Sequence, residues 1–246
     1  MRRLKGVVAV VPTPLNEDES ADLGAIERLI DFLAGHGLGL FALGSAGEGM
    51  NLTFATRVEV ARKMAEVNDG RVPLLVGGGT FSVKESLEFI DQVAASRIDG
   101  IHVIPYDRKI SGEAVEDMYR SIADRSALPL WLYQNTTRTS GIPLEVVERL
   151  RHHANITGVK VAGFDLRLNQ GFLALDSPDF QVMGSADSQF FTFLCLGLEA
   201  SSTSTSACFP ELFKDLYATI LADKLSLARH KNARIQAFLK RIPKGA

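Results

Sequence analysis

The chain has 246 residues, 46% of them hydrophobic and 23% charged, with a net charge of −2. That length suits one large domain or two small ones, and the composition is that of an ordinary globular protein. The near-neutral charge leaves no electrostatic case for nucleic acid or an anionic membrane surface, and the longest apolar runs fall far short of a bilayer span.

In chain order, "MRRLKGVVAVVPTP" has a basic start and a short apolar run, as a signal peptide can. Pro12 and Pro14 end the run and no small-residue cleavage site follows, so it reads as a first strand from Gly6. "DLGAIERLIDFLAGHG" follows with Leu23, Ile26, Leu29, Ile30 and Leu33 on one helical face and Gly35 and Gly37 near its stop. The alternation then repeats. Strand-like "GLFALGS" at Gly39 precedes helical "TFATRVEVARKMAEV", and "VPLLVGGG" at Val72 precedes "SVKESLEFIDQVAAS". "DGIHVIP" at Asp99 precedes "SGEAVEDMYRSIADRS", and "LPLWLYQ" at Leu128 precedes "PLEVVERLRHH". "ITGVKVAG" at Ile156, "FQVMGSAD" at Phe180 and the polar "LEASSTSTS" at Leu198 are the last strands. Their helices are "FDLRLNQGFLAL", "DSQFFTFLCLG" and "PELFKDLYATILAD", and "LSLARHKNARIQAFLKRI" adds one more. Cys195 and Cys208 show no metal-ligand spacing and are expected to be reduced core thiols of a cytoplasmic protein.

Buried-looking strands alternating with amphipathic helices predict an α/β fold, a (β/α)8 TIM barrel. The expected division is a barrel over residues 1–222 and a shortened C-terminal helical extension over 223–246. A doubly wound open sheet is the alternative, but no G-x-G-x-x-G follows the first strand. Chemistry in such barrels belongs at the carboxyl ends of the strands. Those ends read "GSAGEG", "GGGT", "PYDRK", "YQNTTRT", "KVAG" and "GSAD".

Within "ITGVKVAG", period two puts Gly158, Lys160 and Ala162 on one face and Val159 and Val161 on the other. The valines suit the outer helices, so Lys160 is expected to point into the barrel between two small residues. A snorkelling lysine is the bland reading. The functional one is an amine nucleophile forming a Schiff base. A free lysine is deprotonated only about once in 2,500 at pH 7, and each unit of lowered pKa costs about 1.4 kcal/mol of charge stabilisation. Burial can supply that lowering. Tyr133 shares a face with Trp131 on the preceding strand and could move protons beside the amine, or could be a core tyrosine. "GSAGEG" could offer backbone N–H groups to a carboxylate or phosphate.

Together, "GSAGEG", "IPYDRK", "LYQNTTRT", "ITGVKVAG" and "GSAD", in this order and spacing, resemble the dihydrodipicolinate synthase / N-acetylneuraminate lyase family from Gly6 to about Pro210. The resemblance implies a class I aldolase or lyase on a TIM barrel. It would use pyruvate or another 2-keto acid and an aldehyde, with no metal or other cofactor, and form a homo-oligomer, dimer or tetramer. It implies that Lys160 is the Schiff-base lysine, Tyr133 the proton shuttle and Ser45 a relay hydroxyl. Ser45 and Ala46 would cradle the keto-acid carboxylate, Arg138 would bind the second substrate, and Gly184 would line the substrate site. Glu48 is expected to fix the loop rather than to catalyse.

Several positions depart from the family pattern. Pro105-Tyr106-Asp107 stands where a second tyrosine is usual, and Gln134-Asn135-Thr136 where "N-x-P" is usual. Ala46 lacks a hydroxyl, Ser201 to Ser206 is serine-rich, and the chain stops at Ala246. Asp107 could be a substitute acid–base group or a solvated rim charge. These departures support an alternative: a catalytically weakened relative that binds small molecules or partners. An unrelated phosphate-handling isomerase is a third reading, without a glycine-rich phosphate loop after strands 7 and 8 to support it.

Overall fold

The computed structural model describes residues 2–106 and 110–242. Strand and helix alternate as the apolar periodicity requires. The order is β1 (Gly6–Val10), α1 (Leu23–Gly35), β2 (Gly39–Ala42), α2 (Phe54–Asn68), β3 (Leu74–Gly77), α3 (Val83–Val93), β4 (Gly100–Val103), α4 (Gly112–Ala123), β5 (Leu130–Asn135), α5 (Leu144–Leu150), β6 (Ile156–Ala162), α6 (Leu166–Leu173), β7 (Gln181–Ser185), α7 (Phe190–Cys195), β8 (Ala200–Thr203), α8 (Pro210–Leu221) and α9 (Leu225–Leu239). Each strand pairs in parallel with the next, and β8 closes on β1. The barrel is therefore closed and the open-sheet alternative falls. Among the described residues, no helix is long and apolar enough to cross a membrane.

Side-chain oxygens start several helices by accepting an early backbone N–H. Asp22 does so for α1, Thr53 for α2, Ser82 for α3, Ser111 for α4 and Asp165 for α6. These caps end the loops at the carboxyl face at defined points. Helix α9 lies against α8, with Phe238 edge-on to Phe209 at 5.1 Å and Lys231 2.6 Å from Asp215.

Two apolar clusters result from strand parity. Val159 and Val161 join the larger one between barrel and helices. The smaller lies inside the barrel and holds Val8, Val10, Phe41, Leu75, Trp131, Tyr133 and Met183. Register puts Tyr133 beside Lys160 and Lys160 beside Met183, so all three face inward. Cys195 and Cys208 are both exposed, so the expectation of core thiols is corrected. Cys195 ends α7 on its outer side, where position outweighs the usual burial of cysteine.

Trp131 is fully buried and fills the interior because small residues flank it. A Cβ on Gly158 would stand 2.6 Å from the Gln181 carbonyl oxygen and 2.8 Å from the Trp131 ring. Backbone cannot yield as a flexible side chain can, so overpacking strain follows. Gly158→Ala is expected to destabilise the protein by about 1–3 kcal/mol in urea unfolding. Gly35→Ala, at a helical position with nothing within 4 Å, is expected to be neutral or mildly stabilising.

Candidate active site

Lys160 is 2% exposed and sits near the carboxyl end of β6. Its Nζ donates to Tyr133 Oη at 3.5 Å. The same nitrogen lies 3.6 Å from the centroid of the Phe41 ring and 4.5 Å from that of Tyr133. Burial pushes the ammonium below the ordinary lysine range, and the neighbouring Tyr133 opposes this only in part. Burial alone would raise the Tyr133 phenol. The Lys160 charge and hydrogen bonds to Ser45, Asn135 and Lys160 outweigh it, and the phenol is held below its usual value. Lowering favours the neutral amine and the phenolate, so the two groups share the proton more evenly than free ones would, which suits proton exchange between them.

The loop after β2 brings Ser45 to this pair, although Ser45 itself is only half-buried and Ala46 is exposed. It folds back tightly. Leu43 takes a positive φ of 53°, and its carbonyl oxygen lies 2.2 Å from where a Cβ of Gly77 would be. Thr13 Oγ1 donates to the Gly47 carbonyl at 2.6 Å and ties the loop to the end of β1. Glu48 is exposed with a φ of 52°, as expected of a residue shaping the turn.

The altered stretch after Tyr133 has structural work. Asn135 Nδ2 donates to Tyr133 Oη at 3.2 Å. Its Oδ1 accepts from Thr137 N at 3.0 Å and Thr137 Oγ1 at 2.7 Å. Gln134 points the other way, and its Oε1 accepts from Ile142 N. The two amides clamp both sides of the loop that carries Arg138. Arg138 is exposed at the rim, where its charge reaches Tyr106. Tyr106 packs on the inner cluster, and burial pushes its phenol up to about 12. Asp107 lies outside the described residues.

Gly184 is not turned toward Lys160. A Cβ there would meet the Phe193 ring of α7 at 2.5 Å, on the outer side of the barrel. Its carbonyl accepts from Ser202 Oγ at 3.3 Å. The inward side chain at this strand end is Ser185, paired with inward Ser202. Counting by two from Met183 would have found it. The structure therefore gathers Lys160, Tyr133 and Ser45, keeps Ala46 and Arg138 at the rim, and leaves Gly184 only its backbone to offer.

Two further inward residues, which no motif in the sequence marks, complete the surroundings of the amine. Phe41 of β2 lies under the amine, and His102 of β4 stacks on Phe41 at 3.7 Å between centroids and 12° between planes. His102 Nε2 is 2.9 Å from the Ala42 carbonyl and so carries the proton, leaving Nδ1 as an unpartnered acceptor. Burial lowers this imidazole to about 3. Nearby, Arg57 of α2 is buried and donates to the carbonyls of Gly77 at 3.4 Å and Gly79 at 3.3 Å, bracing the end of β3. Among the described residues, no three His, Cys, Asp or Glu side chains converge as metal ligands would.

Known proteins are similar to this chain in sequence and fold. The Dihydrodipicolinate synthetase family model matches residues 3–244. N-acetylneuraminate lyase of Rhizobium meliloti is 32% identical over 245 residues, covering 98% of this chain and 79% of the relative. 4-hydroxy-tetrahydrodipicolinate synthase of Ectopseudomonas mendocina is 30% identical over 242 residues, covering 97% and 83%. The solved structure of 2-keto 3-deoxygluconate aldolase from Picrophilus torridus has a TM-score of 0.91 at 26% identity, covering 98% of this chain and 88% of that one.

The neutral His102 makes stability depend on acid. Between pH 6.5 and about 3 the unfolded chain binds a proton at this residue and the folded one does not. Stability therefore falls as pH falls through that window, by roughly 4–5 kcal/mol for a shift of this size. Urea unfolding as a function of pH is expected to show His102→Phe losing that part of the slope while its carboxylate-dependent part remains.

Proposed function

The chain belongs to the dihydrodipicolinate synthetase family, and from that premise we propose that it is a Schiff-base (class I) aldolase or lyase. It would condense pyruvate or another 2-keto acid with an aldehyde, or cleave the product of such a condensation. The observation that carries the reading is the buried Lys160 amine, lowered by desolvation and 3.5 Å from the Tyr133 hydroxyl.

The Lys160 amine adds to C2 of the keto acid and forms a carbinolamine. Tyr133 protonates the departing hydroxyl, water leaves, and an iminium remains. Loss of a proton from C3 gives the enamine, whose C3 attacks the aldehyde carbon. The alkoxide takes up a proton, and water then hydrolyses the iminium to release product and restore the amine. Ser45 relays protons to and from Tyr133, and its hydrogen bond to the phenol supports that role. The Ser45–Ala46 backbone would hold the keto-acid carboxylate. Arg138, exposed at the rim, would receive an acidic or polar acceptor through its planar guanidinium. The backbone of Gly184, with the inward Ser185, would complete the wall. A cytoplasmic homo-oligomer, implied by the sequence resemblance, is part of the same proposal, and sedimentation velocity reads its assembly state.

Incubation with pyruvate and borohydride, followed by peptide mass spectrometry, tests the reading. The expected result is a reduced adduct on Lys160 that is absent in Lys160→Met. Absence of an adduct with pyruvate and with a panel of 2-keto acids would sink it. In Tyr133→Phe the adduct is expected to form about 10²–10⁴ times more slowly, the usual contribution of a positioned acid–base group. Because the neutral amine attacks, the trapping rate is expected to rise with pH and level off below the ordinary lysine value of ~10.4.

A further inference from the structure

We infer that the face of Phe41, held in place by His102, stabilises the cation that Lys160 carries, first as ammonium and then as iminium, in place of a carboxylate. The iminium half of this rests on the Schiff-base reading; the ammonium half stands on the geometry of the free protein.

Distance comes first. Nζ lies 3.6 Å from the Phe41 centroid, closer than to the Tyr133 ring. Aromatic faces are electronegative and attract cations, most strongly where water is excluded. Among the described residues, Tyr133 acts directly on the Lys160 charge, that charge in turn bears on His102, and the buried Arg57 guanidinium of α2 bears on His102 as well. His102 from β4 lies behind the Phe41 ring, and Tyr106 from the loop after β4 packs on the same inner cluster. The other members of the inner cluster, among them Val8 and Val10 from β1, Leu75 from β3, Met183 from β7 and Ala200 from β8, carry no titratable group.

The ring is also unable to turn away. His102 covers its other face, anchored to the Ala42 carbonyl. A Cβ on Gly44 would come within 2.7 Å of Phe41 Cε1, and one on Gly77 within 2.9 Å of His102 Cε1. Tyr133 meets both rings edge-on, at 5.4 Å and 5.8 Å. A neutral imidazole beneath the ring adds no charge to repel the lysine.

The chemistry favours a ring over an acid. A carboxylate beside Lys160 would keep it protonated and would compete with Tyr133 for protons. A quadrupole supports the cationic states on either side of the neutral enamine and takes no proton. Phe41 therefore touches a reacting atom, and His102 is a positioning residue acting through it.

The test replaces Phe41 with 4-fluoro-, 3,5-difluoro- and 3,4,5-trifluorophenylalanine, which drain the ring face with little change of shape. Lys160 is titrated by NMR in substrate-free protein carrying labelled lysine, its signal assigned by loss in Lys160→Met. The midpoint is expected to fall with each added fluorine, by about one unit over the series, with melting temperature unchanged. Phe41→Leu, which keeps an apolar side chain without a π face, is expected to fall at least as far. A flat midpoint in folded variants would overturn the inference. Borohydride trapping on the same proteins separates the two ideas: an adduct with a flat titration defeats the π-face role alone, whereas a graded titration without any adduct supports it and defeats the Schiff-base reading.

Discussion

A primary amine buried inside an otherwise apolar barrel sets the terms for the residues around it. An unpaired ammonium there costs free energy, so the fold must neutralise it or surround it with compensating groups. The surroundings of Lys160 do both in moderation. A phenol stands at hydrogen-bond range and an aromatic face lies beneath, while the acidic groups that would hold the proton permanently are not among the described contacts. A desolvated cation over a ring is worth about 2 kcal/mol or somewhat more, against roughly 3–5 kcal/mol lost on breaking a buried ion pair. The amine is thereby left within reach of neutrality.

Much of the barrel serves that placement. Alternating large and small inward residues, Trp131 against Gly100 and Gly158, fill the interior below the amine and let the strands close. Above it, the loop after β2 is folded back through a positive-φ leucine onto glycines that leave room for its carbonyl. Arg57 spends a buried guanidinium on the carbonyls at the end of β3. Strain and buried charge of this kind are tolerated where the surrounding structure over-determines them, commonly at functional sites. The departures at Gln134 and Asn135 belong to the same design. One amide holds the loop from outside, and the other hydrogen-bonds the phenol from inside. They preserve the position of Tyr133, which weighs against reading them as signs of decay.

What the sequence disclosed was mostly parity. Gly158, Lys160 and Ala162 inward, Val159 and Val161 outward, and Trp131 with Tyr133 on one face all follow from period two, and the barrel has them so. The same count from Gly100 would have turned His102 inward, and from Gly39 it would have turned Phe41 inward. Both sit in short apolar runs that show no alternation of polarity, so nothing marked which face mattered. The stack between them is a contact across the barrel, from β2 to β4, and no local pattern encodes it. Gly184 shows the opposite lesson. Motif matching singled out the glycine, while strand parity assigns the inward side chain to Ser185. Residue type alone assigns the cysteines to the core, yet both are exposed.

The central claim is that the Lys160 nitrogen attacks the keto carbon of a 2-keto acid, and a crystal structure of the protein soaked with pyruvate tests it most directly. The expected result is continuous electron density from Lys160 Nζ to C2 of pyruvate, with the Tyr133 hydroxyl beside the new bond. Pyruvate bound without a covalent link at Lys160, or linked to another lysine, would contradict it.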